Sequence, residues 1–198
     1  MLFRSRVWYY QFTPHDVWDY DGNSHLFQAE LDQDGENIKA LVQANRNGFF
    51  YAINRENGEF IRATSYMEQL NWADSMEPSG RPVVNPEALP SEEPTMRICP
   101  GALGGMNGSV AGSLNPDLGL AFIPVIESCQ LMQKGLSMFV EGQMFTGGLP
   151  IPVDGVPDEI GDVAAYGHIS AVNYNTGDIA WRYYDPQPMM AGTLSTAG

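Results

Sequence analysis

The chain has few basic residues, few cysteines and no long apolar run. Its 198 residues carry 10 Lys and Arg against 24 Asp and Glu, which gives a formal net charge of −14. This excess of acid argues against nucleic acid and against an anionic membrane surface as partners. No stretch approaches the roughly 20 apolar residues of a membrane-spanning helix. No CxxCH sequence is present to attach a haem group.

The two ends of the chain also lack the usual signals. Residues 1–6 lead directly into an aromatic, strand-like stretch at Val7–Gln11, without the apolar segment of a signal peptide. Residues 192–198 resemble the opening of another strand. We therefore expect an internal fragment of a longer protein, cut inside a structural unit at both ends.

Cys99 and Cys129 are the two cysteines of the chain. Two cysteines in a chain of this length do not form a disulfide scaffold. Buried free thiols are the commoner state for cysteines of cytosolic proteins. The residues alone therefore leave the pairing of these two open.

Turn-forming and aromatic residues, in contrast, are abundant. The chain has 21 Gly, 14 Pro and 11% aromatic residues, a composition typical of an all-β protein with many turns. Ala40–Ala44 and Phe49–Ile53 are short β-rich runs, joined by a tight-turn signal at residues 45–48 in which Gly48 allows a positive φ. A second turn follows at residues 54–58, so the sequence predicts a meander of hairpins.

Five other segments receive an interpretation from their residues. Residues 7–22 are predicted to form a strand that runs into a loop, and residues 28–39 a solvated stretch. Residues 65–74 are the one, short, helix candidate. The proline-rich segment near 76–95 and the Gly- and Pro-rich segment near 143–161 are predicted to be loop excursions that form the wall or lid of a site.

A short pattern recurs three times along the chain. Ala171, Asn173, Gly177 and Trp181 lie at fixed offsets, and Ala52–Gly58 repeats the first part, with Arg62 where the tryptophan would be. Residues 113–119 repeat the pattern more loosely. Each copy predicts a strand, a turn and a second strand, and three copies at irregular long spacing favour radial repetition over an ordinary β-hairpin protein with Asn/Gly turns. At roughly 40–50 residues per blade, the chain supplies at most about four propeller blades.

The acidic loop, residues 13–22, is the chemically most distinctive stretch. It holds Asp16, Asp19 and Asp21 among aromatic residues, with no Lys or Arg. Asp19 and Asp21 are two apart, so in an extended segment they point to the same side. Two such carboxylates repel one another unless a hard cation lies between them or one of them has a raised pKa. A polar turn after a strand is the simpler alternative.

Residues 13–19, with the sequence Thr-Pro-His-Asp-Val-Trp-Asp, resemble the active-site segment of the pyrroloquinoline quinone (PQQ)-dependent alcohol and methanol dehydrogenases. These quinoproteins are eight-bladed β-propellers. The resemblance implies that Asp19 is the catalytic base and a metal ligand. An acid two residues later, here Asp21, marks the branch of the family that uses a lanthanide ion in place of Ca²⁺.

Two further segments carry the same resemblance. Arg46, just before Asn-Gly, matches the basic residue that contacts the quinone oxygens of PQQ. The string from Cys99 to Gly108 matches a family landmark in which the asparagine lines the cofactor pocket, so Asn107 takes that role. The family also places a disulfide at positions corresponding to Cys99 and Cys129.

The resemblance implies an all-β fold, with residues 1–198 forming an incomplete β-propeller segment of four-stranded antiparallel blades. It implies a periplasmic dehydrogenase in which Asp19 takes the hydroxyl proton of a primary alcohol while hydride passes to PQQ. A lanthanide ion or Ca²⁺ and Arg46 then stabilise the developing charge, and a cytochrome c accepts the electrons. A non-catalytic PQQ-like propeller that acts as a binding or assembly scaffold is the alternative.

Overall fold

A computed structural model describes residues 5–22, 24–106, 110–135, 138–143, 145, 148–152 and 165–196. Strands dominate these ranges, and their one helical element is a 3₁₀ turn at Pro86–Ala88. The twelve strands are β1 (Phe27–Gln33), β2 (Glu36–Ala44), β3 (Phe49–Asn54), β4 (Phe60–Ser65), β5 (Ala73–Met76), β6 (Pro82–Val84), β7 (Ser113–Asn115), β8 (Leu120–Glu127), β9 (Gln130–Lys134), β10 (Gly148–Pro152), β11 (Tyr166–Asn173) and β12 (Ile179–Asp185).

The first blade is a four-stranded antiparallel meander of β1, β2, β3 and β4 in chain order. Ala44 pairs with Phe50 across the predicted turn at residues 45–48, and Gly48 has a φ of 93° there. The prediction of a hairpin meander around this turn is confirmed.

The second blade has the strand order β12-β11-β8-β7 and is also antiparallel. Its two central strands, β8 and β11, are neighbours in the sheet but not in the chain. Residues 128–165 lie between them and include the hairpin of β9 and β10. A separate two-stranded sheet, β5 with β6, connects the two blades along the sequence.

The core has two parts, one on each face of β3. Alternate side chains of a strand point to opposite faces, and accordingly Phe50 and Ala52 join one cluster while Phe49 and Tyr51 join the other. The first cluster lies between the two blades and includes Leu31, Val42, Tyr66, Ile123, Val125 and Val172. The second is aromatic and includes Trp18, Tyr20, Trp72, Ile98 and Met132. β3 is therefore the element against which the acidic loop is packed.

The predicted repeat corresponds to one recurring corner of a blade. Ala52 pairs with Arg62 and Ala171 pairs with Trp181, and each ladder shifts its register at the next residue. Each of the two turns also contains a hydrogen bond from its glycine N–H back to the carbonyl of its asparagine. Arg62 donates to the backbone carbonyl of Tyr174, so the residue in the tryptophan position joins the first blade to the second.

The polar cluster around Glu127 forms a second connection between the blades. The Glu127 carboxylate is fully buried and accepts hydrogen bonds from the backbone N–H groups of Glu68, at 2.8 Å, and Gln69, at 3.2 Å. The Nε2 atom of His168, also fully buried, lies 2.9 Å from Glu127 Oε1. The sequence analysis assigns no role to His168, whereas the structure makes it a partner of the carboxylate that holds the segment after β4.

Two interpretations of secondary structure are wrong, and a third is correct only in part. Residues 7–11 form no strand, because their backbone has no ladder partner among the described residues; Trp8 and Tyr10 contact the first blade, whereas Val7 and Tyr9 are exposed. Residues 28–39 are exposed at most positions, as predicted, but they form regular structure, most of the edge hairpin β1–β2, in which Ala29 and Leu31 are the buried residues. Residues 65–74 form no helix: Tyr66 and Trp72 point into different core clusters.

The loop excursions are described in part. Residues 76–95 contain the return strand β6 and the 3₁₀ turn besides irregular chain. Of residues 143–161, β10 forms a hairpin with β9, and most of the remainder lies outside the described residues. No helix within the described ranges has the length and apolar character needed to cross a membrane.

Candidate active site around Arg46

The acidic loop alternates buried aromatic and exposed acidic residues. Trp18 and Tyr20 are buried, with the Trp18 Nε1–H donating to Ala88 O at 2.7 Å and the Tyr20 hydroxyl donating to Pro100 O at 2.6 Å. Asp19 lies between these two aromatic residues in sequence and Asp21 follows them, and the side chains of the two acids are 64% and 71% exposed. The packing of the aromatic residues therefore fixes the direction in which the two carboxylates point.

Arg46 lies on a turn whose backbone groups are held from several sides. Asn45 Oδ1 accepts the N–H of Asn47 at 3.1 Å, and the Gly48 N–H donates to Asn45 O at 3.0 Å. The indole N–H of Trp72 donates to Asn47 O at 2.8 Å. A turn with so many fixed groups presents its arginine in a defined position, which is the preorganisation that an active site requires.

The Arg46 guanidinium lies between the two acids of the loop. Its Nη1 atom is 3.3 Å from Asp21 Oδ1, and its Nη2 atom is 3.7 Å from Asp19 Oδ2. The Arg46 side chain is only 12% exposed, and it also donates to the carbonyl of Ala102. The structure thus brings together Asp19, Asp21 and Arg46, as the sequence predicts, and adds the loop that contains Ala102.

The charges of this cluster act on one another. Partial burial raises the pKa of Asp19 above its ordinary value, and a hydrogen bond shared with Asp21 raises it further, while the Arg46 guanidinium opposes both effects. Burial likewise raises the pKa of Asp16. Asp19 also has a φ of 70°, in the left-handed region that a non-glycine residue rarely adopts and that is often found at functional sites. Such a carboxylate is suited to accepting a proton.

The disulfide loop, residues 99–106, lies against the Arg46 turn. Cys99 and Cys129 form a disulfide with a Cα–Cα distance of 4.4 Å, so the predicted pairing is confirmed. The Gly101 N–H donates to Ser128 O at 2.7 Å, and Gly105 forms a bridge with Ile126. These bonds fasten the loop to the second blade while it contacts the first.

Gly105 lies close to the backbone of the Arg46 turn. It has a φ of 69°, and a Cβ atom placed there would lie 2.5 Å from the carbonyl oxygen of Arg46. No side chain larger than hydrogen fits at this position. Asn107, the other predicted cofactor-binding residue, follows two positions later and lies outside the described residues.

The residues present can be tested against a quinone cofactor and a metal ion. The Nε atom of Arg46 is buried and finds no hydrogen-bond partner among the described residues, so it can donate to an oxygen of a bound group. Paired carboxylates suit a hard cation. Within the described ranges no group of three or more His, Cys, Asp and Glu is arranged to hold a metal. Asp19 and Asp21 could supply two oxygen ligands to such an ion, and in this structure the Arg46 guanidinium lies between them.

Comparison with known proteins finds similarity to the family that the sequence motifs indicate. The family model "PQQ: Glucose/ethanol/alcohol dehydrogenase, beta-propeller domain" matches residues 5–68, which include the acidic loop and the Arg46 turn. The quinoprotein alcohol dehydrogenase PedH of Pseudomonas putida is 30% identical over 96% of the chain and 32% of its own length. The lanthanide-dependent methanol dehydrogenase of Methylacidiphilum fumariolicum is 30% identical over 96% of the chain and 31% of its own length.

Comparison with solved structures finds similarity to the same class of enzyme. A europium-containing methanol dehydrogenase superimposes with a TM-score of 0.82 at 27% sequence identity. The match covers 95% of the present chain and 32% of the methanol dehydrogenase chain. The quinohemoprotein alcohol dehydrogenase of Comamonas testosteroni also reaches a TM-score of 0.82, at 26% identity, over 96% of the chain and 28% of its own. The predicted resemblance and the predicted all-β, propeller-type fold are both confirmed. The chain spans about a third of the length of these relatives.

Proposed function

We propose, from this similarity to quinoprotein alcohol dehydrogenases, that the chain carries the catalytic part of a PQQ-dependent enzyme that oxidises a primary alcohol. Residues 1–198 form an incomplete propeller segment in this proposal, and other blades complete the ring. We place the enzyme in the periplasm, with a cytochrome c as its electron acceptor.

The observation that carries the proposal is the position of Arg46 between Asp19 and Asp21. A base and a fixed positive charge on one rigid surface are what the oxidation of an alcohol requires, because a proton and a hydride must leave neighbouring atoms. Asp19 has the raised pKa expected of a carboxylate that takes a proton, and Arg46 is held by the backbone bonds of its turn. An exposed arginine on a mobile loop would not support the same role.

Each residue then has a defined task. Asp19 accepts the hydroxyl proton of the alcohol, and the Arg46 guanidinium orients the oxygen atoms of the bound cofactor. Asn107 lines the same pocket. When bound, PQQ supplies the two-electron acceptor, and its metal ion supplies a Lewis acid.

Asp19 and Asp21 supply part of the metal coordination in this proposal. Both Ca²⁺ and the lanthanide ions are hard cations that prefer oxygen ligands. The second carboxylate favours a trivalent lanthanide, because it offsets the additional positive charge and would leave a Ca²⁺ site with an excess of negative charge. The residues of the chain thus favour a lanthanide over Ca²⁺.

The direct test is dye reduction by the full-length protein reconstituted with PQQ, a metal ion and ethanol. Asp19→Asn keeps the shape of the side chain but removes the base, so kcat should fall by about 100-fold or more. Asp117→Asn is the matched control, because Asp117 is exposed in the turn between β7 and β8, and it should retain full activity. Equal activity of the two variants would contradict the assigned role of Asp19.

The scaffold alternative makes the opposite prediction for the wild type. A propeller that only binds or assembles partners needs no base, and Asp19 and Arg46 could then be replaced without a change in function. Absence of both PQQ binding and dye reduction in the wild-type protein, with Ca²⁺ and with La³⁺, would favour that alternative.

A further inference from the structure

The hydroxyl of Tyr66 joins two segments that are far apart in the chain. Tyr66 follows β4 directly, and its side chain is fully buried between the blades. The hydroxyl donates to Asn45 O at 2.7 Å and accepts the N–H of Met106, also at 2.7 Å. Both distances are those of good hydrogen bonds. Burial raises the pKa of Tyr66, so the hydroxyl keeps its proton at neutral pH.

The two partners of this hydroxyl have a common property. Asn45 is the residue before Arg46, and Met106 is the residue before Asn107. The hydroxyl therefore binds the backbone next to both residues that the proposed function assigns to the cofactor. The backbone of Gly105, where a Cβ atom would collide with Arg46 O, and the bond from Arg46 to Ala102 O lie on the same boundary between the turn and the disulfide loop.

Removal of the hydroxyl would affect the two segments unequally. Asn45 O also accepts the N–H of Gly48 at 3.0 Å, so the Arg46 turn keeps a bond at this carbonyl. The buried N–H of Met106 would lose the hydroxyl as its acceptor. A buried donor without a partner is costly, and the chain around it moves to find a new one. The change should therefore appear in the disulfide loop and not in the turn.

We infer that Tyr66 is a positioning residue, which sets the disulfide loop at a fixed distance from the Arg46 turn and so shapes one wall of the cofactor pocket. This inference rests on the proposed function for the identity of the cofactor. The placement of the loop by Tyr66 is a separate statement about the backbone, and it can be measured without any cofactor.

The test compares wild type, Tyr66→Phe and Tyr10→Phe in the full-length protein. Tyr10→Phe is the matched control, because the Tyr10 hydroxyl also donates to a backbone carbonyl, that of Gly80 at 2.6 Å, but not to the Arg46 turn or the disulfide loop. Hydrogen exchange of the cofactor-free protein and the Kd for PQQ are measured for all three. A single cooperative thermal transition in each of the three proteins checks that the fold is intact, whatever the midpoint.

Tyr66→Phe should accelerate amide exchange in residues 101–106 by about tenfold, leave residues 43–50 unchanged, and weaken PQQ binding by about tenfold. At saturating PQQ its kcat should equal that of the wild type, which separates positioning from chemistry. Tyr10→Phe should match the wild type in every respect.

The inference is overturned if Tyr66→Phe and Tyr10→Phe show equal exchange in residues 101–106 and equal PQQ affinity. Faster exchange across the whole chain, including residues 43–50, also overturns it, because that result indicates a purely structural role. If the wild type binds no PQQ, the proposed function fails, and the exchange measurement alone decides the placement of the loop. Should Tyr66→Phe fail to fold, exchange at Met106 in the wild type decides: a fast-exchanging amide contradicts the inference.

Discussion

Replacement of Glu127 by glutamine should lower the free energy of unfolding by about 1–3 kcal/mol, because it removes one of three hydrogen-bonding contacts in a fully buried site. Oε1 of Glu127 accepts a hydrogen bond from the Glu68 N–H and lies within hydrogen-bonding distance of His168 Nε2, and Oε2 accepts from the Gln69 N–H. The amide oxygen of glutamine can replace Oε1, but its NH₂ group then faces another donor at Gln69. The partly buried N–H group of Gln69 is left without this acceptor.

Alanine at the same position should cost more, about 3–5 kcal/mol, since it removes all three contacts and leaves a cavity in a buried site. The assay is urea unfolding of the 198-residue chain followed by tryptophan fluorescence, which reports on the buried Trp18 and Trp72. Glu93→Gln is the control, because Glu93 is exposed and the same chemical change there should alter stability by less than about 0.5 kcal/mol. If Glu127→Gln unfolds at the same urea concentration as Glu93→Gln, the carboxylate does not hold the blades together.

Four further predictions follow from the site and the fold. In the full-length protein, Asp21→Ala should abolish activity with La³⁺ while leaving Ca²⁺ able to act; retained La³⁺ activity with unaltered Ca²⁺ dependence would show that Asp21 is no ligand. Replacing Cys99 and Cys129 by serine should cost about 3–4 kcal/mol in urea unfolding, the chain-entropy value for a separation of 30 residues, and an unchanged midpoint would contradict it. Hydrogen bonds from Tyr184 and Tyr166 lower the pKa of Glu68, so its stabilisation is present above the unfolded-state pKa and is lost as the pH falls through the folded value. Glu68→Gln should therefore flatten the stability–pH curve below about pH 4.5, and an unchanged acid limb would refute this. The 198-residue chain alone should reduce no dye with PQQ, Ca²⁺ or La³⁺ and an alcohol, because an incomplete ring leaves the pocket open; turnover would show that the other blades are dispensable.

The local parts of the fold could be predicted because their signals are local. The Asn-Arg-Asn-Gly turn between β2 and β3 depends on the backbone freedom of Gly48 and on side-chain bonds within the turn. The recurring corner depends on residues within about ten positions of one another. The spacing of Asp19 and Asp21 predicts one common side for an extended segment. The φ of 70° at Asp19 shows that the segment is not extended there, and the burial of Trp18 and Tyr20 is what directs the two carboxylates.

The wrong predictions concern segments whose conformation depends on distant residues. Val7–Gln11 has the composition of a strand, but β propensity reflects a surface to pack on as much as a backbone preference. Here that surface is the outer face of the first blade, where Trp8 donates to Arg55 O at 3.0 Å and Tyr10 stacks on Phe60. The edge hairpin β1–β2 was concealed by its polar residues, which occupy the exposed face of the pair.

The candidate site shows the same difference between residues with a local signal and residues placed by distant contacts. Asp19, Asp21 and Arg46 could be named because each lies in a short, specific motif. The carbonyl of Ala102, which accepts from Arg46, and the hydroxyl of Tyr66 carry no motif, since their roles come from tertiary contacts across 56 and 40 residues respectively. His168 was passed over for the same reason: its acidic partner, Glu127, lies 41 residues away in sequence.

The interruption of the second blade affects the order in which the chain folds. The strands of the first blade pair with their neighbours in sequence, so each step closes only a short loop. β8 and β11 can pair only after residues 128–165 have been looped out, which costs more entropy and slows the search. The first blade should therefore form early and offer β3 as a surface on which the slower parts assemble. During synthesis, the acidic loop and Arg46 leave the ribosome before the residues that will enclose them.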